Sequence, residues 1–271
     1  GQGEIAVAFG QRLALRAKQT QGRTGIRAQF GVDRVTETPP ASGLVLTGRS
    51  ASLDAIDWVA LMRGSAKGGG DPMPLRRVEV SVDRLLLLGG AFPDTHLQVT
   101  PTSDGLAVQF DGASLAGGLT VPDAAAAAIA GRLQRVYWRS AGAKAPPAST
   151  ANASATVAAT TRDDSVDPAK VPPLNLKIDD LRLMNASLGE TQFRSRPTAS
   201  GMEIAQLQTR APKRRIDLTG EWNGRGNTAR THLLTTVASD DFGALFADLG
   251  LGGRVAGGKG DLRIDTAWPG R

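Results

Sequence analysis

At 271 residues the chain is long enough for roughly two domains, and 33 glycines and 15 prolines against 4% aromatics favour many turns and small side chains, as in antiparallel β structure. The lack of cysteine excludes a disulfide framework and a thiolate metal site, and no run of about 18 apolar residues offers a membrane-spanning helix. A net charge of +6 raises nucleic acid and anionic membranes as partners. Arg12, Arg16 and Arg27 alternate with apolar residues as on a solvated strand face, however, and no nucleic-acid motif accompanies them, so no nucleic-acid partner is expected.

In chain order, Glu4 to Phe9 and Arg12 to Lys18 read as a hairpin turning near Gly10-Gln11, continued by Ile26 to Val32. Pro39-Pro40 ends that block, and Leu44 to Gly48 is a strand running toward Leu53-Asp54. There the period changes. Ile56, Trp58, Val59, Leu61 and Met62 follow Asp54 at helical spacing, which predicts a short amphipathic helix over 54–63. Phe242, Leu245, Phe246 and Leu249 after Asp240-Asp241 predict a second over 241–249. Ala113 to Val121 and Ile129 to Trp138 are strands. Residues 123–130 have helical propensity but are read as strand, because Gly131 follows and Val136-Tyr137-Trp138 is β-rich. Residues 140–172, rich in Ala, Ser, Thr and Pro, form an expected disordered linker between repeat regions 1–139 and 173–271. Lys213-Arg214-Arg215 is a compact basic cluster, read as an exposed turn or strand end, with contact to an anionic headgroup as the alternative.

A repeat organises these pieces. Val78, Val80, Val82, Asp83, Leu85, Leu87, Phe92, Leu97, Gly105 and Val108 stand 96 positions before Leu174, Leu176, Ile178, Asp179, Leu181, Leu183, Leu188, Phe193, Gly201 and Ile204. In both copies the apolar alternation changes parity at one place, Asp83-Arg84 and Asp179-Asp180, which predicts a bulge or a crossing of faces. Gly105 and Gly201 mark hairpin turns. The expected fold is mainly β: a long antiparallel meander forming a curved, groove-like sheet with two short amphipathic helices. A third copy begins near Asp261, and the chain starts at Gly1 in mid-pattern, so it is read as a segment of something longer. A unit of this kind must cover one apolar face. The residues alone leave an open trough and a closed sandwich or barrel as alternatives.

Catalysis finds no support. His96 and His232 lie in different copies, adjacent carboxylates on a strand face opposite ways, and Gly68-Gly69-Gly70 and Gly257-Gly258-Lys259-Gly260 follow helices instead of opening them. No enzyme, metal or cofactor is expected.

The order and spacing of Pro39-Pro40, Gly43-Leu44, Leu53-Asp54, Trp58, Val171-Pro172-Pro173-Leu174, Leu188-Gly189, Gly220-Glu221-Trp222, Ser239-Asp240-Asp241-Phe242-Gly243, Gly258-Lys259-Gly260 and Ala267-Trp268-Pro269-Gly270 resemble the carboxy-terminal part of the YhdP family, AsmA-like proteins of Gram-negative bacteria. The resemblance covers roughly residues 39 to 270. It implies a large envelope protein with an inner-membrane anchor outside this segment and a periplasmic, repeating β-groove. Its partners would be phospholipid, moved between inner and outer membranes, and membranes reached through other regions; its role would include upkeep of the outer-membrane barrier. Val80, Val82, Leu85, Leu87, Leu97, Val108, Leu176, Ile178, Leu181, Leu183, Phe193 and Ile204 are the expected groove lining, since both copies supply an apolar residue at each place. A structural or docking module with a closed β core is the alternative.

Overall fold

A computed structural model describes residues 3–55, 58, 74–87, 89–139, 168–224, 228–250 and 256–269. They form one 16-stranded sheet, in which fifteen strands follow one another from β1 to β16 and β5 stands beside β6; β1 and β16 are its open edges. The first strands are β1 (Gly3–Phe9), β2 (Leu13–Thr20), β3 (Arg23–Phe30), β4 (Gly43–Ser50) and β5 (Leu53–Asp54). The first copy of the repeat supplies β6 (Leu75–Leu87), β7 (Gly90–Thr102), β8 (Gly105–Asp111), β9 (Leu115–Pro122) and β10 (Ile129–Trp138). The second supplies β11 (Leu174–Leu183), β12 (Ala186–Pro197), β13 (Gly201–Ala211), β14 (Arg214–Asn223), β15 (Arg230–Ser239) and β16 (Gly260–Pro269). The starts of β7 and β8 recur in β12 and β13 at the spacing of the sequence repeat.

The sheet is mixed, which corrects the expected all-antiparallel meander. β3 and β4, β4 and β6, and β10 and β11 pair in parallel. The reason lies in the connections. Antiparallel neighbours need only a tight turn, whereas a parallel pair needs a crossover of about a dozen residues or more, and residues 31–42, 51–74 and 139–173 are that long. Residues 123–128 form a turn, not the strand expected there. Of the helix expected over 54–63, Asp54 ends β5, Ala55 and Trp58 are helical, and the rest lies outside the described residues, as does most of the 140–172 linker. The helix expected at 241–249 is α1 (Phe242–Asp248), whose Asp241 cap accepts a hydrogen bond from the Ala244 amide at 2.9 Å.

The parity change is a crease that crosses both copies. Inward residues step by three instead of two from Val82 to Leu85, Phe92 to Thr95, Leu133 to Val136, Ile178 to Leu181 and Leu188 to Thr191. In β6 and β7 both partners carry the extra residue, so Val82–Thr95 and Leu85–Phe92 stay in register. Around Asp179-Asp180 the register with β12 shifts. The bulge expected at that site is present, and the step at Asp83-Arg84 is instead shared between neighbouring strands. Each copy fixes the crease alike. Asp83 accepts from Arg49 at 2.6 Å and Asp179 from Arg132 at 2.9 Å, each arginine reaching from the parallel neighbour strand. Buried Thr95 and Thr191 donate to the carbonyls of Pro93 and Gly189 at 3.3 and 3.2 Å.

No second sheet covers the inner face among the described residues, so burial there comes from curling. Val78, Val80, Val82, Leu85, Phe92 and Leu115 are at most 1% exposed and pack in one cluster with Leu46, Leu97, Val108, Leu133 and Ile178, against which Trp58 leans. β8 ends short of the crease, and beyond it β7 meets β10 directly, where the Ala91 amide donates to the Arg139 carbonyl at 3.0 Å. Two glycines permit the bend: at Gly48 (φ +110) and Gly117 (φ +134) an added Cβ would lie 2.2 Å from the Phe30 carbonyl and 2.5 Å from that of Arg132.

Candidate functional site

Directly paired residues share a face, so the registers trace rows across the sheet. One row runs Val7, Leu15, Ala28, Leu46, Val78, Val99, Val108, Leu119, Gly131, Leu176, Phe193, Leu207, Leu218, Thr235 and Ile264. The next inward row runs Phe9, Leu13, Phe30, Gly48, Val80, Leu97, Phe110, Gly117, Leu133, Ile178, Thr191, Thr209, Ile216, Val237 and Leu262. Neither row contains a charge from one edge to the other. At about 4.8 Å per strand they extend roughly 65 Å along the sheet. The outward row between them is polar throughout its middle: Glu79, Gln98, Gln109, Gly118, Arg132, Lys177, Gln192, Gln208, Asp217, Thr236 and Arg263. Such alternation separates a dry face from a solvated one.

All twelve residues singled out in the sequence lie on the inward side, but in two environments. Val80, Val82, Leu85, Leu97, Val108 and Ile178 are buried, at most 8% exposed. Leu87, Leu176, Leu181, Leu183, Phe193 and Ile204 are half-buried. Ile178 sits at the boundary: the inner face is sealed over most of β6 to β10, whereas over β11 to β16 the row through Leu176, Phe193, Leu207, Leu218 and Ile264 is half-buried while Thr191, Thr209 and Val237 on the next row stay buried. Leu207, Leu218 and Ile264 continue the alternation of the second copy and were readable from it. Phe9, Leu13 and Phe30 join the rows through register alone.

Two elements rest on the accessible half. The 3-10 turn Pro168–Lys170 lies against β12 to β14. At that end the inward Ser195, Met202 and Thr231 are buried while the outward Arg194, Glu221 and His232 are exposed, which places the turn on the inner side. At the opposite end α1 leans on β12, and its Asp248 accepts from Arg214 at 3.0 Å. Arg214 alternates in step with Ile216 and Leu218, so it points inward with only 15% of its side chain exposed. It is not the exposed strand-end charge expected of the basic cluster. Its outward neighbour Arg215 pairs with Asp217 at 2.8 Å, as a solvated face requires. Among inward strand positions of the described residues, Arg214 carries the one charge.

The histidines are on the outer face: His232 contacts Asp265 at 2.7 Å, and His96 lies 3.3 Å from the Ser81 hydroxyl and 3.8 Å from the Glu79 carboxylate on that solvated face. Among the described residues no helix is long and apolar enough to cross a membrane.

No curated protein and no solved structure matches the chain. The family model described as YhdP protein matches residues 1–271, extending the likeness read from residue 39 onward to the first strands as well. Two uncharged inward rows continue through both copies of one β unit, and the family match covers the whole chain: the chain belongs to the YhdP family of AsmA-like envelope lipid-transport proteins.

Proposed function

We propose that this chain is a stretch of a periplasmic bridge-like lipid-transfer protein, part of an inner-membrane-anchored whole, that carries phospholipid acyl chains along the inner face of its sheet between inner and outer membranes. The observation that carries the reading is the pair of uncharged rows running from β1 to β16. An acyl chain has no hydrogen bonds to exchange, so its path needs continuous low polarity, and a backbone fully paired within the sheet leaves no polar edge along the way. Six of the twelve expected lining residues, Val80, Leu97, Val108, Leu176, Ile178 and Phe193, lie on these rows, and the other six extend the same face beside them. Over β11 to β16 the row through Leu176, Phe193, Leu207 and Leu218 is half-exposed as it stands; over β6 to β10 the curled sheet has to loosen to admit a chain. The division at residues 139 and 173 then marks two lengths of one groove.

The burial of Val80, Val82 and Leu85 favours a second reading for β6 to β10, a structural or docking module with an ordinary closed core. Photo-crosslinkers separate the two. At Leu176, Leu181, Phe193 and Ile204 they capture phospholipid from membranes, and at outward Lys177 and Arg182 they do not. Capture at Val80 and Leu97 extends the conduit through the first copy; capture confined to β11 to β16 leaves that copy a closed module; equal capture from both faces rejects the conduit altogether.

A further inference from the structure

A conduit for acyl chains has no use for a charge on its inner wall, yet Arg214 stands there. Its guanidinium is held on one side only: Nη2 donates to Asp248 at 3.0 Å, while Nη1 is buried without a hydrogen-bond partner. Leaving a buried guanidinium N–H unpaired is costly, and a hydrophobic residue at this position would avoid the cost. A second orphan lies beside it. The Thr209 hydroxyl is on the same face, across from Ile216 and so diagonal to Arg214; it is fully buried and likewise without a partner. Two unpaired donors thus stand on one face of neighbouring strands where the rows through Leu207, Leu218 and Ile216 reach the end of β14. The anion bonded to Arg214 is Asp248, on the seven-residue helix α1, itself 38% exposed at its side chain.

We propose that Arg214, with the Thr209 hydroxyl, is a binding position for the phosphate of a phospholipid headgroup whose acyl chains lie on the Leu207–Leu218 side, and that Asp248 occupies the anion's place until lipid arrives. The proposal rests on the acyl-chain reading and adds a headgroup position to it. A phosphate diester offers what the pair of donors lacks: a planar guanidinium meets two of its oxygens with parallel N–H bonds, and a hydroxyl reaches a third lone pair. Asp248 supplies one carboxylate from a partly exposed side chain, so exchange of one anion for another keeps the arginine neutralised throughout. Displacing Asp248 also frees the C-terminal end of α1 from the inner face, so headgroup binding uncovers the end of the trough. Headgroup recognition and access to the acyl path are then one event.

The test uses soluble short-chain probes on the full chain: dihexanoylphosphatidylglycerol, dihexanoylglycerol with no phosphate, and inorganic phosphate. Wild type binds the phospholipid more tightly than the diglyceride. Arg214→Met, which keeps the apolar stem, weakens phospholipid binding by about tenfold or more and leaves diglyceride binding unchanged. Asp248→Asn removes the competing carboxylate and tightens phospholipid binding several-fold. Arg214→Lys keeps the charge without the fork and falls between wild type and Arg214→Met, and it carries the test if the methionine variant does not fold. Thr209→Val weakens phospholipid binding while raising the thermal midpoint, since a buried orphan hydroxyl is replaced by a methyl group. If Arg214→Met binds both probes as wild type does, or if Asp248→Asn weakens binding along with it, the pair is merely a structural tether and the proposal is overturned. Inorganic phosphate binding as tightly as the phospholipid overturns the headgroup assignment in favour of a free-anion site. The two readings fail separately: diglyceride binding that is lost in Leu207→Asp keeps the acyl path whatever happens at Arg214, whereas binding of neither lipid by wild type overturns both.

Discussion

Single residues show how strictly the two faces are kept apart. Tyr137, the sole tyrosine of the chain, points outward from β10. Its hydroxyl donates to Asp180 at 2.8 Å, and the Arg182 guanidinium, also bonded to Asp180, lies 4.3 Å over its ring. The hydrogen bond to Asp180 and desolvation push the phenol above its ordinary 10.0, because ionisation would lose the donor and set a second anion beside the carboxylate. The sign follows. The folded pKa exceeds the unfolded one, so the contribution to stability is fully present below pH 10.0 and is lost as pH rises through the raised folded value. Titration followed by phenolate absorbance has one chromophore to report. A midpoint above the ordinary value is expected, falling back toward it in Asp180→Asn; an ordinary midpoint in the wild-type chain would refute the contact.

At the scale of elements the crease is a property of neighbouring strands, not of one strand. Since β10 and β12 each carry the three-residue inward step beside β11, deletion of Asp180 cannot simply straighten β11. With the ladder to β10 kept, Arg182 moves into the inward slot of Leu181, and Leu181 and Leu183 turn outward. Losing two half-buried leucines and gaining an inward charge is expected to cost about 3 kcal/mol or more, read as a lower denaturant midpoint; unchanged stability would show that the step is not imposed by the neighbours. Much of this was legible in the chain. Alternation and its parity change gave the strands, the repeat and the site of the step, because period-two burial is written directly in residue type. The parallel junctions were not, because alternation is blind to strand direction; only the lengths of 31–42, 51–74 and 139–173 pointed to crossovers. Arg214 was misread for a related reason. Its neighbours in sequence are Lys213 and Arg215, and charge clustering hid the fact that it alternates with Ile216 and Leu218.

Over the whole molecule the inner face changes from sealed to accessible, and charge is the probe that tells the two apart. In the sealed half an inward carboxylate has no water to reach. Val80→Asp places it in a site that is 0% exposed, among Leu97, Gly48 and the rest of the cluster, and is expected to cost several kcal/mol, enough to unfold the region. The same argument applies to Ile178→Asp, whose site is 7% exposed and belongs to that cluster. In the accessible half Leu207 and Leu218 pair on an inner wall that solvent reaches, so Leu207→Asp hydrates its charge and loses only part of a leucine's burial, about 1 to 2 kcal/mol. The chain stays folded while the uncharged row is broken. In the full-length protein, Leu207→Asp and Leu181→Arg are therefore expected to weaken the outer-membrane barrier at normal protein levels, whereas Val80→Asp weakens it by depleting the protein. Measuring thermal unfolding, abundance and barrier integrity on the same variants separates these routes. If Leu207→Asp and Leu181→Arg fold, accumulate and leave the barrier intact, the inner face tolerates charge and is not a path for acyl chains.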